Sequence, residues 1–164
     1  MNAKVTDVVF AGLGGQGVLK ASDIFAEVVF KAGLDVKKAE IHGMSQRGGS
    51  VTSDVRFGER VYSPMASSNA ADYLVVLSED QVEVNKHYLA PDGVLISAAM
   101  LDGVKLPHPK SGNVALLGML SKHLALDEAL WHEAIQSQMP PKIYDVNLQA
   151  FALGRSLNNG EEHS

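Results

Sequence analysis

The residues best suited to chemistry are concentrated in one short segment, which runs from Glu40 to Val51. It combines an acid, an imidazole, an amide and a guanidinium with several glycines and serines. Such a composition offers little apolar surface, so burial in a core does not explain it. Arg47 carries a planar fork of donors that matches a carboxylate or a phosphate, and His42 can exchange a proton near neutral pH. The segment therefore predicts a binding or interface loop.

Two interpretations of this segment remain open. In the first, its side chains contact a substrate or cofactor, with His42 and Arg47 as the catalytic candidates. Gln46 and Ser50 would then orient the ligand by hydrogen bonds. In the second, the segment is an interface loop in which Arg47 pairs with a carboxylate of a neighbouring subunit. In either interpretation the backbone of the segment needs conformational freedom, which is provided by Gly43, Gly48 and Gly49.

A glycine-rich turn precedes the segment. Gly12, Gly14 and Gly17 match the GxGxxG fingerprint of dinucleotide-binding proteins, and Glu40 follows 23 residues after Gly17. In that fingerprint bare backbone approaches a pyrophosphate, a helix N-terminus faces its charge and an acid binds the ribose. Gln16 places a long polar side chain in the turn, which argues against a self-sufficient NAD site. The alternatives are tight packing of the helix on the sheet, or an anion that is supplied within a complex.

Hydrophobic periodicity predicts the elements that position both motifs. The predicted strands are 8–11, 35–41, 51–57, 60–63, 71–77 and 94–97, and the predicted helices are 17–32, 79–89, 113–124, 127–138 and 142–157. Gly58-Glu59 suits a type II′ hairpin turn between the third and fourth strands. Ser78 is the predicted N-cap of the second helix, and residues 91–93 are predicted to form a turn.

This pattern predicts an α/β fold with three layers. The sheet is Rossmann-like and mostly parallel, with one antiparallel hairpin and with helices at the C-terminus. Residues 1–157 are predicted to form a single domain, and residues 158–164 a frayed tail.

Composition excludes several classes of function. The chain has 164 residues, no cysteine and a net charge of −5. The absence of cysteine argues against disulfides and against an iron–sulfur cluster held by this chain. The acidic balance argues against a nucleic-acid partner. No apolar run is long enough to span a membrane and no secretory signal is apparent, so the expected location is the cytoplasm. The six histidines are scattered, and no metal site is predicted.

The stretches 12–18 and 42–51 together resemble the small subunit, or gamma domain, of 2-oxoacid:ferredoxin oxidoreductases, a group that includes the indolepyruvate and pyruvate enzymes. The resemblance extends from about Val8 to Arg155. Its C-terminal part rests on Asn113, Leu117, Gly118, Leu120, Trp131, Ala134, Ile135, Lys142, Asn147, Ala150, Phe151 and Gly154. Most of these residues are interpreted as packing, with Trp131 and Phe151 as anchors, Asn113 as an N-cap and Asn147 as a buried polar contact. Between Leu101 and Asn113 the chain is shorter than is usual in the indolepyruvate type.

The resemblance implies an accessory subunit in the oxidative decarboxylation of a 2-oxoacid to acyl-CoA, carbon dioxide and reduced ferredoxin. Thiamine diphosphate, Mg²⁺, iron–sulfur clusters and coenzyme A are expected in the complex through partner subunits, and none is expected on this chain alone. Ferredoxin would be an indirect partner, and the isolated chain is a candidate homo-oligomer. The predicted cofactor-binding or subunit-interface residues are Gly12, Gly14, Gly15, Gln16, Gly17, Glu40, Gly43, Gln46, Gly48, Gly49 and Ser50. The alternatives are a stand-alone Rossmann-type nucleotide-binding protein and a non-catalytic assembly scaffold.

Overall fold

The computed structural model describes residues 4–42, 49–62 and 69–157. The strands are β1 (Val5–Leu13), β2 (Asp35–His42), β3 (Ser50–Gly58), β4 (Ala71–Val76) and β5 (Leu89–Ser97). The α-helices are α1 (Val18–Lys31), α2 (Val82–Asn85), α3 (Gly112–Ser121), α4 (Glu128–Gln138) and α5 (Tyr144–Ser156). Turns of 3₁₀ helix lie at Glu79–Gln81, Lys86–Tyr88, Ala98–Leu101, Pro109–Ser111 and Pro141–Ile143. Within the described ranges, no helix combines the length and apolar character needed to cross a membrane.

The five strands form one mixed sheet in the order β2-β3-β1-β4-β5. β4 is parallel to both β1 and β5, whereas β3 is antiparallel to both β1 and β2. The predicted mixed, Rossmann-like sheet is therefore confirmed. Its antiparallel hairpin is formed by β2 and β3, which are consecutive in the chain and adjacent in the sheet.

The predicted second arm of the hairpin, residues 60–63, is wrong. Arg60 to Tyr62 lie outside any strand, and Ser63 falls outside the described residues. Because β3 is hydrogen-bonded on both sides, its edges are already filled by β1 and β2 and cannot accept a further strand. The chain instead passes the end of β2, where the Val61 amide donates to the Asp35 carboxylate over 2.8 Å.

Two further local predictions are wrong, and a third is confirmed in position only. The helix predicted at 79–89 is divided into two 3₁₀ turns on either side of the short α2. Ser78 occupies the predicted N-cap position of the first of these turns, but its side chain makes no capping bond, because its hydroxyl donates to the Asp80 carboxylate over 2.5 Å. The turn predicted at 91–93 lies inside β5, where the pairing with β4 shifts register and leaves a bulge.

The larger core lies between one face of the sheet and helices α1, α3, α4 and α5. Phe25 on α1 contacts the Trp131 ring at a centroid distance of 5.6 Å, and Trp131 contacts Phe151 at 5.5 Å. All three rings are fully buried, so the predicted anchoring role of Trp131 and Phe151 is confirmed. The α3–α5 crossing is tight because both helices present glycine, and a Cβ added to Gly154 would lie 1.9 Å from the Ala115 carbonyl oxygen.

The opposite face of the sheet carries a smaller core. Alternation along β1 directs Val8 and Phe10 to the larger core and Val9 and Ala11 to the smaller one. The smaller core is covered by the segment Glu79–Tyr88, which we call the bridging segment, and Val82 is its buried apolar residue. Helical layers on both faces complete the predicted three-layer arrangement.

Candidate functional site

The glycine turn joins the end of β1 to the start of α1. Gly15 and Gly17 have φ angles of +87° and +84°, a region that favours glycine because side chains with a Cβ are strained there. Gln16 folds back into the turn, and its Oε1 accepts the Leu13 amide over 2.7 Å. The long polar side chain therefore completes the turn. A Cβ on Gly12 would lie 2.8 Å from that same oxygen and 2.9 Å from a methyl group of Val18, so a side chain at this position would displace both.

The structure brings the glycine turn and the described part of the polar segment together. The Gly14 amide donates to the Gly49 carbonyl oxygen over 2.9 Å, and Leu13 pairs with Ser50 at the end of the β1–β3 ladder. The Ser50 hydroxyl continues away from the turn and donates to Gln81 Oε1 over 2.8 Å. The backbone of His42 ends β2, while its side chain lies outside the described part of the structure. The predicted site residues Gly43, Gln46, Arg47 and Gly48 also lie outside the described residues.

Glu40 is not brought to the glycine turn. It lies on the edge strand β2 and pairs with Ser53, which in turn pairs with Phe10 on β1. In a dinucleotide-binding fold the corresponding acid follows the strand next to β1, but here the antiparallel β3 occupies that place. The Glu40 carboxylate instead accepts from Lys38 Nζ over 2.9 Å. Burial lowers the Lys38 pKa, but hydrogen bonds to Asp23 and Glu40 outweigh it and leave that pKa raised above 10.5.

A cleft of about 460 Å³ opens beside the glycine turn, where the carboxyl ends of β1, β4 and β5 meet. It is lined by Gly15, Gln16, Gly17, Lys20, Leu77, Ala98, Leu101, Pro109, Lys110, Gly112, Asn113 and Leu116. These residues include two lysines and no acid, and the N-terminus of α1 adds partial positive charge. Neither lysine forms an ion pair with another described residue, although Lys20 Nζ donates to the Gln138 carbonyl oxygen over 3.0 Å. The cleft is therefore suited to an anionic group.

Asn113 belongs to this cleft, so its prediction as an N-cap is wrong. Ser111 occupies the N-cap position of α3, and Asn113 Nδ2 donates to the Gly17 carbonyl oxygen over 3.3 Å. A Cβ on Gly17 would lie 2.5 Å from that nitrogen, so glycine is required both by the contact and by φ. The contact joins residues 96 positions apart, and no local pattern reports it. In the sequence, only the place of Asn113 among the residues of the family resemblance pointed to a role at the site.

A second cavity of about 220 Å³ adjoins the cleft, and Lys110 and Asn113 line both. Its other walls include the apolar side chains of Met139, Ile143 and Val146. Asn147 lies at the same wall and donates from Nδ2 to the Ile143 carbonyl oxygen over 2.9 Å, which confirms the predicted buried polar contact. The cationic cleft thus lies beside a smaller and more apolar cavity.

The fold and the cleft together indicate a class of protein. A mixed Rossmann-like sheet with a glycine turn at a cationic edge is typical of domains that bind an anionic coenzyme group. The chain belongs to the pyruvate ferredoxin/flavodoxin oxidoreductase family, whose model matches residues 7–110. The predicted family is therefore confirmed.

Comparison with individual proteins agrees with this membership. The indolepyruvate oxidoreductase subunit IorB of Thermococcus kodakarensis is 33% identical over 193 aligned positions, which cover 92% of this chain and 95% of that protein. The pyruvate oxidoreductase subunit PORC of Thermotoga maritima has the same fold, with a TM-score of 0.76, 21% identity and coverage of 94% of this chain and 97% of that one.

A larger oxidoreductase contains the same fold as one part of a longer chain. The 2-oxoglutarate:ferredoxin oxidoreductase of Magnetococcus marinus, solved with 2-oxoglutarate, coenzyme A and succinyl-CoA bound, aligns with a TM-score of 0.79 at 20% identity. The match covers 96% of this chain but 32% of that one. The relatives are subunits of 2-oxoacid oxidoreductases, and this chain is accordingly an accessory subunit of that class of enzyme.

Proposed function

We propose that the chain is the gamma-type subunit of a 2-oxoacid:ferredoxin oxidoreductase, and that its glycine-turn edge meets the diphosphate of a coenzyme in the assembled complex. The observation that carries the proposal is the bond between the Gly14 amide and the Gly49 carbonyl. It places the two motifs of the sequence side by side, next to a cleft that contains two lysines. The two lysines and the N-terminus of α1 together are sufficient to attract an anion.

The residues of the cleft fit a diphosphate. Positive φ at Gly15 and Gly17 leaves the backbone of the turn open, and a Cβ on Gly15 would meet no atom within 4 Å. Lys110 is exposed at the mouth, where an ammonium group can neutralise a phosphate oxygen. Coenzyme A and thiamine diphosphate both carry a diphosphate, and they supply acyl transfer and decarboxylation chemistry when bound. The role of this chain is to bind and orient that group.

The remaining cofactors belong to partner subunits in this proposal. The chain has no cysteine, and iron–sulfur clusters are held mainly by cysteine thiolates. Electrons would therefore reach ferredoxin through a partner that carries the clusters, and that partner would hold thiamine diphosphate with Mg²⁺. The likeness to the indolepyruvate subunit favours an aryl 2-oxoacid as substrate. Screening indolepyruvate, pyruvate and 2-oxoglutarate with the reconstituted complex tests this choice.

The site is tested by replacing Lys110, with Lys105 as a matched control. Lys105 is also exposed and lies in the same connection, but it does not line the cleft. Loss of a charge-assisted contact worth ~1.4 kcal/mol raises a KM about tenfold. We expect Lys110→Ala to have this effect on coenzyme A or on thiamine diphosphate, and the affected KM identifies the coenzyme. Unchanged KM values for both would exclude the cleft as a diphosphate site.

A stand-alone nucleotide-binding protein is the second candidate, because GxGxxG is present with a strand before it and a helix after it. Calorimetric titration of the purified chain with NAD and FAD separates the two functions. Micromolar binding of either would favour the stand-alone function. The separation of Glu40 from the turn by β3 supports the opposite result.

A further inference from the structure

Buried polar side chains join the start of β3 to the bridging segment. The Ser50 hydroxyl donates to Gln81 Oε1 over 2.8 Å, and Asn85 Nδ2 donates to the Gln81 carbonyl oxygen over 2.8 Å. The Thr52 hydroxyl donates to Asn85 Oδ1 over 3.4 Å. Gln81, Asn85 and Thr52 are 8%, 4% and 6% exposed, so these bonds are largely shielded from water.

Packing alone does not explain why polar side chains occupy these buried positions. Burying an amide or hydroxyl costs free energy unless it is hydrogen-bonded, and apolar residues of similar size pack at least as well. Hydrogen bonds are directional, however, and they fix the relative position of two elements more narrowly than apolar contact does. The network therefore determines where the start of β3 lies relative to the bridging segment.

The bridging segment is also fixed to the opposite side of the glycine turn. The chain leaves β4 at Leu77, whose amide donates to the Ala11 carbonyl oxygen over 2.8 Å. The Glu79 carboxylate then accepts the Ala99 amide over 3.1 Å. Residues 98 and 101, in the same 3₁₀ turn as Ala99, line the cleft. The segment thus holds β3 on one side of the glycine turn and the end of β5 on the other.

We propose that Gln81 is a positioning residue for the glycine-turn site. It holds the Ser50 hydroxyl, and through it keeps the neighbouring Gly49 carbonyl against the Gly14 amide. Gln81 does not line the cleft and touches no ligand in this proposal. Its effect on coenzyme binding rests on the proposed function, whereas its effect on the Gly14–Gly49 bond does not.

Amide hydrogen exchange on the full chain tests the positioning directly. Gln81→Met removes the acceptor at similar size, and Ser50→Val and Ser50→Thr form a matched pair that differs in the hydroxyl. Loss of a hydrogen bond worth ~1 kcal/mol corresponds to roughly fivefold faster local exchange. We expect this acceleration at the Gly14 amide in Gln81→Met and Ser50→Val. Ser50→Thr should behave as the unaltered chain does, and so should Glu83→Gln, which changes an exposed side chain of the same segment.

The comparison amides are those of Val9 and Phe10 in the middle of β1. Selective acceleration at Gly14 supports the proposal, whereas equal acceleration at Val9 and Phe10 means general destabilisation and overturns it. An unchanged Gly14 amide in Gln81→Met also overturns it. The double variant Gln81→Met/Ser50→Val should exchange no faster at Gly14 than either single variant, because both remove the same bond.

Turnover in the assembled complex separates this inference from the proposed function. With partner in excess, Gln81→Met is expected to raise the coenzyme KM about fivefold while the affinity for the partner is unchanged. If the unaltered chain supports no coenzyme-dependent turnover, the proposed function fails. If the unaltered chain is active and Gln81→Met has the same KM, the positioning role fails.

Discussion

The two faces of the sheet are built in different ways. One face is covered by four helices and by a cluster of tilted aromatic rings, and its contacts are mainly apolar, with one buried hydrogen bond between Ser53 and Ser22 among them. The other is covered by the bridging segment, whose longest stretch of α-helix has four residues and whose buried contacts to β3 are polar. Apolar burial is non-directional and supplies most of the stability, whereas the polar contacts are directional. We infer that the first face maintains the fold and the second determines the geometry of the site.

The largest effect is expected on the aromatic face. Trp131→Ala removes a fully buried ring, and such changes cost about 3–5 kcal/mol of unfolding free energy. Phe30→Ala provides the control, because that aromatic side chain is 70% exposed on α1 and its loss should cost less than about 0.5 kcal/mol. Urea denaturation measures both. Similar losses for the two variants would contradict the division between the faces.

The crossing of α3 and α5 gives the next largest effect. Gly154→Ala places a methyl group where only 1.9 Å separates it from a carbonyl oxygen, so the helices must move apart at a cost of about 1–3 kcal/mol. Gly112→Ala serves as the control, because a Cβ there meets its nearest side chains at 3.7 Å. Thermal unfolding should show a lower midpoint for Gly154→Ala alone. A midpoint equal to that of Gly112→Ala would mean that the close approach is not maintained in solution.

The polar segment between β2 and β3 is expected to affect turnover and to leave stability nearly unchanged. Arg47→Ala should lower turnover of the assembled complex at least ~10-fold, as for a charge-assisted contact worth ~1.4 kcal/mol or more. Arg60→Ala, an exposed arginine beyond β3, is the control. Unchanged turnover with weaker assembly would assign Arg47 to the subunit interface and support the scaffold alternative.

The smallest effect concerns Asp7, which lies near the start of β1, at the opposite end of the strand from the glycine turn. Burial raises its pKa above the ordinary 3.8, and the adjacent Arg56 offsets this only in part. An acid with a raised native pKa binds its proton more tightly when folded, so the stability it contributes is present below about pH 3.8 and is lost as the pH rises through the native value.

Asp7→Asn should therefore flatten the dependence of unfolding free energy on pH just above 3.8. Asp92→Asn, on an exposed part of β5, is the comparison variant. Urea unfolding at closely spaced pH values measures the slope. A slope that is the same in Asp7→Asn and in the unaltered chain would show that Asp7 does not titrate in this range.

Local patterns were sufficient for much of the fold. The buried run of β1, the helix that ends before Gly33 and the three C-terminal helices follow from periodicity, glycine and proline, all of which act over a few residues. The pairing partner of β3 was not predictable in the same way. Sequence alternation reports which face of a strand is buried, but it does not report which strands lie beside it.

The residues of the site also fall into a group that could be predicted from local sequence and a group that could not. The glycine turn and the polar segment were evident from composition, because neither resembles a core. The structural roles of Asn113 and Gln81 at the site were not predicted. In a sequence, a polar residue that forms a hydrogen bond across the fold cannot be distinguished from one that faces water. Their contacts span 96 and 31 residues and exist only after the sheet has formed.

Affinity purification of the chain from its own cells at native expression shows whether the chain works as a subunit of a 2-oxoacid oxidoreductase. The co-purified protein is assayed for iron, sulfide and thiamine diphosphate, and the complex for coenzyme A-dependent oxidation of 2-oxoacids. We expect a larger partner that carries all three, and 2-oxoacid oxidation that is lost when this chain is removed and restored when it is added back. A chain that purifies alone with a bound dinucleotide, or a partner that is fully active without this chain, would show that the chain is not such a subunit.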